Sequence, residues 1–489
     1  MEPENKSNSN SNFHSLSFRD PNGRVLKLDG QIYRAITSNQ ASFYKELFEK
    51  GIVQKLIERK LLVDTQISSL KIDGYELTLK HRTIPFVSFA HEWCDVMLKD
   101  AALLHIELLI ELNEYALTSQ DGVHLNILFD GSQPVFVDFC SIVLADRKSY
   151  WPGIAYERFR NNFIFPVSIM SLGYRHLARS WIKNTYYIDA NIIRAEMELF
   201  SRQIPAIAKV SRNNKVLNLA KLFIPTGIKP RAKQAFNSIK SKFVATDVSS
   251  RLNFLQVLKQ EVESLNLPSL KIDQFRCYDN FFSSFNPTSE WTRKQESIYK
   301  VLSTLRPNSV LDVDSNQGWY AQLAARCGSQ VVAFDTEEAC VRKLYADAQE
   351  NNLYILPLVM DWTSANFNLS NDFFAPITER FAGDMVLGLN FVHHVVFNPY
   401  IGLERLWKRL SSLSKRWVLV EFIPQEEILN LIPPNYVGTR QFWEKSPWYS
   451  LDEFMSLFQT KFHKIEILSS YPETRKLILC EKMLASEKS

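Results

Sequence analysis

The chain has 489 residues, the length of two to four ordinary domains, and its 46% hydrophobic and 22% charged residues exclude a chiefly disordered, collagen-like or fibrous protein. Its 57 basic and 53 acidic residues leave a formal net charge of only +4, so the total gives no sign of a nucleic-acid partner. Six cysteines (Cys94, Cys140, Cys277, Cys327, Cys340 and Cys480) are scattered without a CxxC pair, which argues against a disulfide framework or zinc site and suits a reducing, cytoplasmic setting.

In chain order, residues 1–17 form a tail that is Ser/Asn-rich from Met1 to Asn12. It has no apolar h-region and is expected to be disordered. No uninterrupted apolar run reaches the roughly 18–20 residues of a membrane span. Residues 18–174 begin with strand-like stretches at Arg24–Ile36 and Gly74–Pro85, with Phe43–Lys60 reading as helix between them. Met97–Leu117 then places apolar residues at helical spacing over five turns, with His105 on that face as a buried core histidine. Two short β-type runs, Ile127–Asp130 and Pro134–Phe139, are joined by Gly131-Ser132 as a hairpin.

Residues 175–280 read as a helical connector of different charge. Between Arg175 and Phe243 there are 14 basic and three acidic residues, a local net of +11. An anionic partner would be sought here first, although a connecting layer with a solvated basic face explains the same composition. From residue 281 to 489, β-type runs alternate with helix-type segments, the pattern of a parallel α/β sheet.

That last region carries the chemistry. A strand, Val310–Val313, contains Asp312 and runs through Asp314, Asn316 and Gly318 into a helix. The strand Gln330–Phe334 ends on Asp335, followed by Thr336, and Tyr354–Met360 ends on Asp361-Trp362. A fourth strand, Met385–Phe391, follows Asp384, and a fifth, Trp417–Val420, ends on Glu421. The acids at 312, 335, 361 and 384 are 23, 26 and 23 residues apart, one βα unit per gap. In open α/β sheets ligands bind beyond the carboxyl ends of the strands. A tight turn lets backbone N–H groups approach a ligand, and an acid ending the second strand can accept from both ribose hydroxyls. The GxGxxG fingerprint is absent, which favours a nucleoside without pyrophosphate over NAD.

These residues, with His393-His394 and Val420-Glu421-Phe422, resemble the class I S-adenosylmethionine-dependent methyltransferases. Asn316, Gly318, Trp319 and the paired histidines resemble the nodulation-associated (NoeA-type) branch. The resemblance implies a Rossmann-like sheet. It also implies that Asp312, the 314–318 turn and Trp319 hold the methionine part, Asp335 the ribose, and Asp361 and Trp362 the adenine. Where the family has glycine this chain has Asp314, whose side chain would crowd the cofactor unless it tolerates the same bend. The acceptor implied is a small molecule, a glycan or another secondary metabolite. His393 or His394 is a candidate base, and the alternative is a helix-start pair bonded to backbone.

A second resemblance lies in the segment Gln120–Asp138. Asp121 and Asn126 keep the D-x4-N spacing of kinase-like phosphotransferases, and Asp138-Phe139-Cys140 stands where D-F-G would stand. The resemblance implies Asp121 orienting a hydroxyl and Asn126 and Asp138 holding Mg²⁺ with ATP. Arg34 stands near the usual strand lysine, no Gly-rich phosphate loop is present, and the third D-F-G position is Cys140. The expectation is therefore a methyltransferase, with a bifunctional kinase-methyltransferase or a non-catalytic scaffold as alternatives.

Overall fold

A computed structural model describes residues 13, 14, 17, 20–145, 153–185, 248–271, 284–287, 290–362, 375–390, 403–431, 437–444, 449–459 and 462–482. The chain divides into two compact units. The first comprises Met1–Pro85, Phe89–Phe129 and Pro134–Ser269, and the second Phe86–Ser88, Asp130–Gln133 and Leu270–Ser489. Most of the basic connector, residues 186–247, lies outside the described residues.

The first unit opens with the strands β1 (Gly23–Leu28) and β2 (Gln31–Ile36). Asp29 and Gly30 join them at φ of 48° and 79°, the left-handed pair that a two-residue hairpin turn needs. The segment read as one helix is two, α1 (Ser38–Glu49) and α2 (Ile52–Glu58), because Gly51 takes a φ of 71° between them. With β3 (Thr65–Ser68) and β4 (Leu77–His81) the strands form an antiparallel sheet in the order β1-β2-β4-β3. The long helix α3 (Asp95–Asn113) buries Leu98, Ala101, Ala102, Leu108, Leu109 and Leu112, the face its spacing predicted. His105 is wholly buried on that face with Nε2 3.1 Å from Ser119 Oγ. Burial pushes its pKa down to about 3, so it is a neutral core group.

Two short pairs follow: β5 (Leu117–Ser119) with β8 (Ile142–Leu144), and β6 (Ile127–Asp130) with β7 (Gln133–Phe136). Helix α4 (Ile154–Phe159) comes next. Helix α5 (Val248–Ser264), expected in the connector, is bonded to α3. Arg251 Nε donates to Asn113 Oδ1 at 2.9 Å, and Lys99 Nζ donates to the Glu263 carbonyl at 2.8 Å.

The second unit begins with α6 (Arg293–Leu305), started by a capping box. Gln295 N donates to Thr292 Oγ1, and Thr292 N donates to Gln295 Oε1 at 2.7 Å. Then come β9 (Ser309–Val313), α7 (Trp319–Arg326), β10 (Gln330–Asp335), α8 (Glu338–Glu350), β11 (Ile355–Val359) and β12 (Gly383–Gly388). Helix α9 (Leu403–Leu413), β13 (Ser414–Phe422), β14 (Lys464–Ser469) and β15 (Lys476–Glu481) follow, with shorter helices among them. All seven strands make one sheet, ordered β11-β10-β9-β12-β13-β15-β14. The first five in that order are parallel, and β15 is antiparallel to both β13 and β14.

The parallel strands are buried on both faces and read as near-continuous apolar runs, as such strands must. The antiparallel pair was not predicted. β14 is an exposed edge strand in which three of six residues are polar, so its apolar signal is weak. Cys340, on α8, is disulfide-bonded, contrary to the expectation from spacing. Spacing shows only local cysteine pairs, and the partner of Cys340 lies outside the described residues. Cys94, Cys140, Cys327 and Cys480 are not in disulfides. No described helix is long and apolar enough to cross a membrane.

Candidate functional site

β9 pairs with β10 on one side and β12 on the other, so the strand order reverses at β9. The carboxyl ends of the strands splay at such a point and open a crevice. Three acids stand there in sheet order: Asp312 near the end of β9, Asp335 as the last residue of β10, and Asp361 just past β11. The turn leaving β9 has left-handed backbone at Asp314 (φ 60°), Asn316 (φ 54°) and Gly318 (φ 75°). Asp and Asn reach that region more easily than other non-glycine residues. The residue standing in place of a family glycine therefore supports the same kind of bend. At Gly318 the limit is stricter, since a Cβ there would come within 2.4 Å of the Leu344 side chain.

The turn is tied to the second strand. Asn316 N donates to Asp335 Oδ2 and Glu337 N to Asp335 Oδ1, both at 2.7 Å, while Ser315 N donates to the Phe334 carbonyl at 2.8 Å. Each oxygen of Asp335 keeps a second lone pair for a ligand hydroxyl. Asp312 and Asp335 are buried and Asp314 is half-buried. Among the described residues no lysine or arginine forms an ion pair with any of the three. Burial, then the neighbouring Asp314 and Asp335, pushes the Asp312 carboxyl up to about 8, against a backbone hydrogen bond from Ala321. Burial first, and then Asp361 and Glu337, raises Asp314. Burial and Asp314 raise Asp335. The crevice is thus an uncompensated acidic nest that holds protons or attracts a cation.

The other candidates lie around it. Thr336 is exposed on the loop after β10. Trp362 is buried, and its carbonyl accepts from Arg409 Nη1 at 2.6 Å. The indole of Trp319 is a core group, stacked on Phe285 with centroids 5.2 Å apart and edge-on to Trp291 at 5.7 Å. His393 and His394 lie outside the described residues. Asp384, counted with the strand-end acids, is the second residue of β12 and sits at the opposite end of the sheet, where its Oδ2 accepts from Asn308 N at 2.9 Å. Equal spacing counts βα units but does not say which end of a strand a residue occupies.

Sequence reasoning missed one polar cluster at the ends of β12 and β13. Glu421 is fully buried, and its Oε2 receives Lys294 Nζ at 2.6 Å and Asn390 N at 3.0 Å. Its Oε1 receives Ser470 Oγ at 2.7 Å. Arg475 Nη1 donates to Asn390 Oδ1 at 2.9 Å and Nε to Glu427 Oε1 at 2.7 Å. The one sequence signal was Glu421 ending an apolar strand; its partners come from three separate stretches of chain.

In the first unit Asp138 is ion-paired with Arg34 at 3.1 Å, and Arg34 also meets Asp20 at 3.3 Å. Asp121 is ion-paired with Arg158 of α4. Burial raises the Asp138 carboxyl and Arg34 opposes it. Asn126 is buried with its Nδ2 meeting no hydrogen-bond partner. The acids expected to hold Mg²⁺ and orient a hydroxyl therefore each hold a guanidinium.

The chain is 21% identical over 429 residues to the nodulation protein NoeA of Rhizobium meliloti (strain 1021), spanning 84% of this chain and 85% of that protein. No family model matches it. Among solved structures it is similar to WbdD, at 23% identity and a TM-score of 0.28, covering 38% of each chain. It therefore spans well under two-thirds of WbdD. It is also similar to the PH0226 protein from Pyrococcus horikoshii OT3, at 16% identity and a TM-score of 0.31, covering 44% of this chain and all of that one. A third is the magnesium protoporphyrin IX methyltransferase (ChlM) of Synechocystis PCC 6803 with bound SAH, at 13% identity and a TM-score of 0.27 over 38% of this chain and 82% of that one.

Proposed function

We propose that the second unit is an S-adenosylmethionine-dependent methyltransferase acting on an oxygen or nitrogen of a small-molecule or glycan acceptor. One observation carries the reading: acids end three adjacent parallel strands at the switch point, around a left-handed turn, and among the described residues Asp312, Asp314 and Asp335 meet no ion-paired lysine or arginine. The residues fit the donor by their chemistry. A ligand that is a cation at one end and a nucleoside at the other matches an acidic nest whose second-strand acid has lone pairs to spare. When bound, the donor supplies a methyl group activated on a sulfonium.

In this reading Asp335 accepts from the ribose hydroxyls, its carboxylate oriented beforehand by the N–H groups of Asn316 and Glu337. Asp312, Asp314, Asn316 and Gly318 line the methionine part, Trp319 supports their turn from the core, and Thr336 flanks the ribose. Asp361 and Trp362 take the adenine. His393 or His394 serves as base for the acceptor proton. Most of the rate enhancement comes from positioning and exclusion of water. The test is calorimetry of the intact chain with S-adenosylmethionine and S-adenosylhomocysteine. Binding of either at micromolar concentration is expected, and binding of neither sinks the reading.

A second reading, ATP-Mg²⁺ phosphotransfer by the first unit, draws on one observation: the buried Asn126 amide with an unused donor beside the Asp138 segment. Against it stand the two arginines already bound to Asp121 and Asp138. Mg²⁺-dependent ATP binding that is lost in Asp138→Ala would support it, and no ATP binding by the intact chain rejects it.

A further inference from the structure

The acids of the crevice follow the sheet order, with Asp361 after β11, Asp335 on β10 and Asp312 on β9. A donor with its adenine at β11 and ribose at β10 lays its sulfur over β9, so its methyl group points toward the next strand, β12. Strands are about 4.8 Å apart, so the step from β9 to β12 is about the length of a methyl group and its contact. What stands at the end of β12 is Asn390, in left-handed backbone at a φ of 57°, its N–H held by Glu421 and its side chain by Arg475.

This corner differs in charge from the rest of the crevice. Lys294 and Arg475 flank Glu421, with Nη1 of Arg475 3.8 Å from Glu421 Oε2, and Glu427 answers Arg475 in turn. Two cations and two carboxylates balance, whereas Asp312, Asp314 and Asp335 meet no ion-paired lysine or arginine among the described residues. The two sets share one electrostatic neighbourhood. Lys294 acts on Asp312, the Lys294 ammonium lies 5.3 Å from the Tyr320 ring centroid, and Tyr320 feels both Glu421 and Asp312.

We propose that the Lys294–Glu421 pair is a specificity-determining element on the methyl side of the donor pocket, setting how strongly the pocket prefers the sulfonium donor over the thioether product. The proposal rests on the methyltransferase reading. S-adenosylmethionine and S-adenosylhomocysteine differ only at the sulfur, by one methyl group and one positive charge. A group holding ribose or adenine changes both affinities alike, whereas a charge beside the methyl changes their ratio. Removing the negative charge of Glu421 leaves Lys294 and Arg475 in excess and disfavours the cation. Removing the positive charge of Lys294 does the reverse.

The experiment is calorimetry of the full chain at pH 7 with both ligands, on the wild type, Glu421→Gln, Lys294→Met and Ser470→Ala. Glu421→Gln is expected to shift the affinity ratio about fivefold toward S-adenosylhomocysteine, and Lys294→Met about threefold toward S-adenosylmethionine. Ser470→Ala removes a neutral donor to the same carboxylate and is expected to leave the ratio within about twofold. Opposite signs for the two charge variants are something a purely structural role does not produce. If Glu421→Gln does not fold, the sign of Lys294→Met decides. An unchanged ratio in the folded charge variants, shifts of the same sign, or an equal shift in Ser470→Ala overturns the proposal alone. A wild type that binds neither ligand overturns the methyltransferase reading and this proposal with it.

Discussion

The two units treat their acids in opposite ways. Asp121 and Asp138 in the first unit each meet an arginine, Arg158 and Arg34, so their charge is spent inside the protein. Asp312, Asp314 and Asp335 in the second unit are raised by burial first and then by neighbouring carboxylates, against the backbone N–H groups that donate to Asp312 and Asp335. A neutralised acid stabilises a fold, while an uncompensated set costs stability unless a ligand answers it. The lesson is that spacing which resembles a catalytic motif does not reveal whether the charge is available.

The comparison can be broken by substitution. The largest effect is expected from Arg34→Met, which removes a buried guanidinium and leaves the half-buried Asp138 and Asp20 facing each other. Loss of one partner of a buried ion pair costs about 3–5 kcal/mol, and the half-buried carboxylates bring the expected loss to about 3 kcal/mol, to be read by urea denaturation, with S-adenosylhomocysteine affinity unchanged. An unaltered midpoint would show that the guanidinium is not holding the unit together. Next comes Asp335→Ala, expected to weaken S-adenosylhomocysteine by about 100-fold, or about 2.7 kcal/mol, with no change in the first unit's unfolding. Undiminished affinity means the ribose site lies elsewhere.

The third test uses pH. Carboxyls raised in the folded state bind protons that the unfolded chain has released, so their stabilisation is complete below about pH 4 and is lost as pH rises through the folded values, up to about 8 for Asp312. The melting temperature of the ligand-free chain is expected to fall between pH 5 and pH 8. Asp314→Asn removes repulsion on both neighbours and is expected to flatten that fall, gaining about 3 °C at pH 8. A steeper fall in the variant contradicts the acidic-nest description. The smallest effect is expected from Asp121→Asn. Its pair with Arg158 is about half exposed at the arginine, so the loss stays under about 1 kcal/mol by denaturation. A loss of 3 kcal/mol or more would make it the equal of the Arg34 pair.

Much of the second unit was legible in the chain. Buried parallel strands are short apolar runs, and their acids fall where the runs end, so β9, β10 and β11 and their acids could be read directly. The left-handed turn was legible too, because Asp, Asn and Gly are the residue types that adopt it. What could not be read was the direction of Asp384, which precedes its strand, and the antiparallel pairing of β14 with β15, because the residues of a strand do not mark its partner. In the first unit helical spacing over Met97–Leu117 marked the helix found at Asp95–Asn113 and the core position of His105, but not its end before Leu117, which starts β5. The break at Gly51 and the partners of Asp121 and Asp138 did not follow from spacing.

By itself the amino-acid sequence determined the alternation of strand and helix, the acids at three strand ends, and the glycine-type turn between them. These depend on residues close together in the chain and on local backbone preference. The tertiary structure alone decided which charges are answered. Lys294, Asn390, Glu421, Ser470 and Arg475 come from distant stretches and meet only because the strand order reverses at β9 and β15 returns antiparallel beside β13. In the first unit Arg34 of β2 likewise reaches Asp138 across 104 residues of chain. Electrostatics depends on distance in space, and the sequence records only distance along the chain.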